Sequence, residues 1–132
     1  MRKLTRKEVK TLHSLVEKHP EQYEYDHEAG AMLKHEFGGF LPSMRYWHPC
    51  NPDNHGAVKN AFIKSCPKGA LFVLLAGWKE DSVRVAEVTG DTISQSDAMR
   101  SWKGKYTFEK EVLATCRVIL DVMKIRKKKG GE

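Results

Sequence analysis

Residues 70–88 read ALFVLLAGWKEDSVRVAEV, two apolar runs separated by a short polar turn. The first run, Ala70 to Ala76, is apolar at every position, which is typical of a strand buried on both faces in the middle of a sheet. The second run, Ser82 to Val88, is rich in valine, which favours a strand. Gly77 to Asp81 predicts the turn of a hairpin between the two runs. This stretch therefore predicts an antiparallel sheet, with Thr92 to Ser94 as a candidate third strand.

Helical periodicity on both sides of the hairpin predicts four helices. They are expected at about residues 5–19, 26–37, 53–66 and 107–129. The first helix is the best signalled, because Thr5 and Glu8 have the spacing of a capping box and His19 precedes a proline. The polar segment 95–106 is expected to be irregular, with one helical turn.

Together these elements predict an α+β fold. A small antiparallel sheet of two or three strands is expected to pack against about four helices, in the order α-α-α-β-β-α. The chain has 132 residues, 40% of them hydrophobic, which is enough for one core and too apolar for a disordered protein. Residues 1–129 are therefore expected to form a single globular domain and residues 130–132 a frayed C-terminal tail.

The composition also indicates in which cellular compartment the protein works. The longest apolar run, Ala70 to Ala76, is much shorter than the ~20 residues of a membrane-spanning helix. No apolar stretch follows the basic start of the chain, as it would in a secretory signal. Three cysteines, Cys50, Cys66 and Cys116, are an odd number and favour reduced thiols. The protein is therefore expected to work in the cytoplasm or within a virus particle, without membrane contact and without secretion.

Positive charge is concentrated at the two ends of the chain. The formal net charge is +6, but residues 1–10 and residues 124–132 each sum to +4 and the segment between them to −2. If the first and last helices pack antiparallel, the two ends form one positive pole. Such a pole attracts phosphate groups and releases their counterions.

This charge layout predicts a small basic, non-enzymatic accessory protein that contacts nucleic acid, or a nucleic-acid-bound assembly, through joined basic termini. Four aromatic side chains are candidates for stacking on bases, Trp78 and Trp102 among them. The residues predicted to bind nucleic acid are Arg2, Lys3, Arg6, Lys7, Lys10, Lys124, Arg126, Lys127, Lys128, Lys129, Tyr46 and Trp47.

An interaction with another protein is the first alternative. The stretch 17–36 is acidic and lies between the basic end and the rest of the chain, which suits a polar, electrostatically steered interface. On this hypothesis the protein acts as an inhibitor or a virion component by occupying a partner's surface, including an acidic one. The oligomeric state is left open.

A hydrolase that depends on a metal or a thiol is the second alternative. His48, Cys50, His55 and Cys66 are residue types that bind zinc, although their spacing matches no common zinc pattern. Cys50 lies near two histidines that could activate it as a nucleophile, but the sequence identifies no third, orienting residue. The sequence thus predicts no cofactor and no catalytic residue, and leaves zinc and Cys50 as candidates.

Overall fold

The computed structural model describes residues 2–19, 43–67, 69–89 and 92–129. Within these ranges the chain has an α+β fold with one three-stranded antiparallel sheet and three helices. The elements are α1 (Arg6–Lys18), a 3-10 turn (Pro52–Asn54) that leads into α2 (His55–Ser65), β1 (Ala70–Ala76), β2 (Glu80–Thr89), β3 (Thr92–Lys103) and α3 (Phe108–Lys129). The helix predicted at residues 26–37 and the tail predicted at residues 130–132 lie outside the described residues.

The predicted hairpin is present, but its first strand is not in the middle of the sheet. The strand order is β1-β2-β3, so β2 is central and pairs with β1 on one side, where Phe72 faces Val85. Strand β1 is at the edge, and Leu71, Leu74 and Leu75 are each 46–49% exposed. The prediction of a buried central strand was wrong, because an apolar run reads the same in a central strand and in an unprotected edge strand.

The prediction of irregular chain after residue 94 was also wrong. Residues 92–103 form one twelve-residue strand, where the sequence indicated a short strand followed by irregular chain. Ala98 and Trp102 are buried whereas Met99 is 46% exposed, so buried and exposed residues alternate in the part of β3 whose side chains are described, residues 98–103. A strand with one open face has no apolar run to mark it, and that is why the sequence did not reveal it.

Helix α1 begins as predicted. The Glu8 amide donates to the Thr5 hydroxyl (3.2 Å) and the Thr5 amide donates to the Glu8 carboxylate (2.9 Å), which completes the capping box. The helix ends at Lys18, with His19 as its C-cap. Its buried face packs mainly on α2 and consists of Val9, Leu12, His13, Leu15 and Val16.

Helix α3 is the centre of the fold. It packs on β2 and β3 and also contacts α1 and α2, and between residues 112 and 122 it is buried on nearly all sides, as expected of a helix inside a protein. Arg100 of β3 donates two hydrogen bonds, of 2.7 and 2.8 Å, to the Asp121 carboxylate, and this pair joins the sheet to α3. Neither α3 nor any other helix in the described ranges is long and apolar enough to cross a membrane.

Candidate functional site

A buried arginine of α3 fixes the residues that precede α1. The Arg117 side chain is almost fully buried, and its guanidinium donates to the carbonyl oxygens of Arg2 (Nε–O 2.8 Å) and Lys3 (Nη2–O 2.9 Å). It also lies 3.6 Å from the Glu8 carboxylate. The Thr5 amide hydrogen bond lowers the pKa of Glu8, and the charges of Arg117 and Arg2 lower it further. The segment before α1 is thus held against the middle of α3.

The first turns of α1 therefore present a surface of uniform charge. Glu8 is the only acidic residue among residues 2–16, and its carboxylate, 17% exposed, lies 3.6 Å from the guanidinium of Arg117 and 3.6 Å from that of Arg2. The basic residues of the same segment all point into solvent. This surface, called the cationic face of α1 below, consists of Arg2, Lys3, Arg6, Lys7 and Lys10.

The basic end of α3 lies at a distance from that surface. Arg126 is nine residues beyond Arg117, about 13 Å at ~1.5 Å per residue, so the start of α1 lies beside the middle of α3 and not beside its end. Arg126 turns toward α2, where its guanidinium lies 3.0 Å from Cys66 Sγ and 5.0 Å from the centre of the Phe62 ring. The exposed basic side chains near this end are Lys124 and Lys127, and Lys128 and Lys129 are the last residues of the helix.

The four aromatic candidates for base stacking separate into two exposed and two buried residues. Tyr46 is 76% exposed, and the Arg45 guanidinium lies 5.5 Å from its ring centre. Trp78, in the turn between β1 and β2, is 98% exposed. Trp47 and Trp102 are each 5% exposed, so their rings are not available to a base. Trp47 belongs to the core, where it packs edge-on against His13 of α1.

The four candidate zinc ligands do not come together. His48 Nδ1 accepts a hydrogen bond from the Cys50 amide (3.1 Å), whereas Cys66 lies at the end of α2 and donates to the Phe62 carbonyl (3.3 Å). Across the described ranges, no group of three or more His, Cys, Asp or Glu side chains is arranged to hold a metal ion.

His55 is buried at the start of α2. Its Nε2 atom is 3.9 Å from Glu111, too far for a hydrogen bond, and neither ring nitrogen has a hydrogen-bond partner among the described residues. Burial lowers the pKa of His55, and the charge of Lys59 lowers it further while Glu111 opposes them. The neutral imidazole is therefore favoured, and Phe108 packs edge-on against it with ring centres 5.5 Å apart.

A cleft of about 560 Å³ lies between the end of the β2–β3 pair and the start of α3. Lys110, one of its two lysines, donates to the Lys105 carbonyl (2.8 Å). No histidine or cysteine lines the cleft, so it offers neither an imidazole nor a thiol for catalysis. Its lining residues are Glu80, Ser101, Trp102, Lys103, Lys110 and Leu113.

Cys50 has a neighbour that the sequence did not indicate. Cys50 is half-buried in the loop before α2, and the Cys116 thiol of α3 donates to the carbonyl oxygen of the preceding residue, Pro49 (3.7 Å). The neighbouring Cys116 thiol lowers the pKa of Cys50, and the charge of Arg117 lowers it further. The proximity of Cys50 together with burial raises the pKa of Cys116. The contact joins residues far apart in the chain, and Cys116 reads in the sequence only as part of an apolar helix stripe.

Three features of the described structure are candidates for a functional role. They are the cationic face of α1, the exposed edge of the sheet at β1, and the Cys50–Cys116 thiol pair. Each is defined by side chains that tertiary packing brings together or leaves open to solvent. No protein-family model, curated protein or solved structure matches the chain.

Proposed function

We propose that this protein is a small non-enzymatic accessory protein that binds nucleic acid through the cationic face of α1. The observation that carries the proposal is the clustering of five exposed basic side chains in residues 2–10 with no acidic side chain pointing outward among them. Phosphates bound there release condensed counterions, which is the main source of affinity in sequence-independent binding. Exposed Lys124 and Lys127 supply a second point of contact for a longer strand.

The anchoring of this surface supports the proposal. Because Arg117 binds the carbonyl oxygens of Arg2 and Lys3, the backbone of this segment is ordered before any partner arrives. A preordered segment loses less conformational entropy on binding than a free basic tail does. The cationic face therefore behaves as a fixed surface.

The exposed aromatics favour a single strand as the ligand. Trp47 packs against His13 of α1, and the two residues that precede Trp47 in the chain are the exposed Arg45 and Tyr46. An exposed tyrosine next to basic residues can stack on an unpaired base, with a contribution of about 1–3 kcal/mol per base. A duplex keeps its bases stacked inside and offers only phosphates to this surface.

Titration of a fluorescent single-stranded oligonucleotide against salt tests the proposal. The wild-type protein is expected to bind at low salt, with a log–log slope of about −0.7 for each phosphate contacted. The triple variant Arg6→Ala, Lys7→Ala, Lys10→Ala is expected to reduce that slope by about 2, with an affinity at low salt at least ~10-fold weaker. None of these three side chains contacts Arg117, so the fold should be retained.

A matched control separates this surface from net charge alone. The triple variant Lys79→Ala, Lys103→Ala, Lys105→Ala removes the same charge from exposed positions outside α1, at the β1–β2 turn and the end of β3, and is expected to retain the wild-type slope. Absence of binding at low salt, or an equal loss in both triple variants, contradicts the proposal.

Self-association through β1 is a second candidate function, favoured by the exposed edge. Strand β1 contains no charged residue and no proline, the devices by which edge strands are usually protected from pairing. In the described ranges, only β2 pairs with it. A second copy of this chain fits the edge, because antiparallel pairing of two identical uncharged strands sets no like charges opposite one another.

Sedimentation velocity over a range of protein concentrations tests the second candidate. The wild-type chain is expected to form dimers as the concentration rises, and Leu75→Lys, which places a charge at the edge, is expected to remain a monomer. Met99→Lys is the control, since Met99 is equally exposed but lies on β3. A wild-type chain that stays monomeric at every concentration would rule this candidate out.

A further inference from the structure

The Cys116 thiol lies directly beneath the turn that carries Cys50. Cys116 is fully buried in α3, and its Sγ atom is 3.7 Å from the carbonyl oxygen of Pro49. Pro49 immediately precedes Cys50, whose side chain packs against the core cluster that contains Cys116. Two neighbouring thiols can form a disulfide if the sulfurs approach to about 2.05 Å. Because α3 is enclosed by the rest of the fold, the turn at Cys50 makes that movement.

The two thiols are unequal in access and in charge. Cys50 is partly exposed, so a small oxidant can reach its sulfur, whereas solvent does not reach Cys116. The neighbouring Cys116 thiol and the charge of the Arg117 guanidinium lower the pKa of Cys50 and so favour its thiolate. The third group beside Cys50 is His48, whose Nδ1 atom accepts the Cys50 amide hydrogen bond. An accessible thiolate backed by a buried thiol is the arrangement of a reacting and a resolving cysteine.

Cys66 provides an internal comparison. It is buried at the end of α2, donates to the Phe62 carbonyl and receives a hydrogen bond from Arg126. Those contacts lie at the C-terminal end of α2, whereas Cys50 lies two residues before the 3-10 turn that leads into the start of α2. Cys66 thus has the burial of a structural cysteine and no thiol partner among the described residues.

We propose that Cys50 and Cys116 are a redox-active pair that hydrogen peroxide converts into an intramolecular disulfide. The Cys50 thiolate attacks one peroxide oxygen, the O–O bond breaks, and the departing hydroxide takes a proton to become water. Cys116 then attacks the sulfenic sulfur, the S–S bond forms, the S–O bond breaks, and the second hydroxide leaves as water with the Cys116 proton. Two thiols are oxidised and one peroxide is reduced to two waters. A dithiol such as dithiothreitol reverses the bond by thiol–disulfide exchange. The proposed disulfide does not depend on whether the protein binds nucleic acid.

Peptide mapping of the folded, full-length chain tests this pair. Reduced protein is treated with hydrogen peroxide at neutral pH, alkylated, and digested with trypsin without reduction. The expected product is a disulfide between peptides 46–59 and 111–117, with the Cys66 peptide, residues 65–68, recovered alkylated. Dithiothreitol is expected to restore both thiols, and the oxidised protein is expected to melt ~10 °C higher than the reduced protein.

Two variants assign the roles. Cys66→Ser is expected to form the same linkage as wild type, and Cys116→Ala is expected to lose it and to accumulate Cys50 sulfenic acid that dimedone traps. Iodoacetamide is expected to alkylate Cys50 with a pH midpoint below that of an ordinary thiol, about 8.5, and the midpoint should rise in Cys116→Ala. If Cys116→Ala fails to fold, the peptide maps of the wild type and of Cys66→Ser still show whether the Cys50–Cys116 disulfide forms. Overoxidised Cys50 beside an alkylated Cys116, a linkage to peptide 65–68, or a linkage between molecules would overturn the proposal.

Discussion

Replacing Arg117 by methionine is expected to lower the free energy of unfolding by about 3 kcal/mol. The guanidinium is buried and is bound to two carbonyl oxygens and to Glu8. Methionine fills a similar space but donates no hydrogen bond, so the two carbonyls lose their Arg117 partner and the partly buried Glu8 carboxylate loses one of its cationic neighbours. Arg117→Lys keeps the charge but not the planar fork that reaches several oxygens at once, and it is expected to fall between wild type and methionine.

Urea denaturation followed by circular dichroism measures this loss. Arg6→Met is the control, because Arg6 is exposed on α1, and its effect is expected to stay within about 0.5 kcal/mol of wild type. An Arg117→Met variant as stable as Arg6→Met would show that the segment before α1 is not held by this side chain.

Replacing Phe62 by alanine is expected to cost about 3–5 kcal/mol of stability. Phe62 is the largest of the fully buried side chains in the described ranges. It joins α2 to the sheet, since its ring packs edge-on against Phe72 of β1 with ring centres 5.6 Å apart. The Arg126 guanidinium covers its other side. Truncation leaves a cavity between three elements and removes the surface on which Arg126 lies.

The same substitution at an exposed phenylalanine is the comparison. Phe108, at the start of α3, is 44% exposed, so Phe108→Ala is expected to cost about 1 kcal/mol or less. Thermal unfolding at one protein concentration measures both variants. Equal losses in the two would mean that Phe62 does not occupy a core position between α2 and β1.

Local signals in the sequence predicted local structure correctly. The capping box of Thr5 and Glu8 needs only residues three apart, and it forms. The hairpin between β1 and β2 also depends on neighbouring segments. The position of β1 at an edge could not be predicted, because it depends on where β3 pairs. Strand β3 was missed because alternate residues such as Met99 and Ser101 face solvent.

In the candidate site, too, the sequence predicted the features that depend on neighbouring residues and missed those that depend on distant ones. Exposed lysines near the start of the chain follow directly from an amphipathic helix, whereas the inward turn of Glu8 depends on Arg117, more than a hundred residues away. The burial of Trp47 was equally unpredictable, since a loop tryptophan beside a histidine carries no periodic signal. Cys116 belongs to an apolar stripe of α3, and nothing in that stripe indicates that Cys50 packs above it.

The clamp of Arg117 on Arg2 and Lys3 has a consequence for biosynthesis. Arg2 leaves the ribosome 115 residues ahead of the side chain that fixes its carbonyl group. The nascent chain can form α1 and the hairpin from local contacts, but the segment before α1 has no anchor until most of α3 has emerged. A truncated product that stops short of α3 would therefore expose both the apolar face of the sheet and the unfixed basic segment, the combination that chaperones and proteases select.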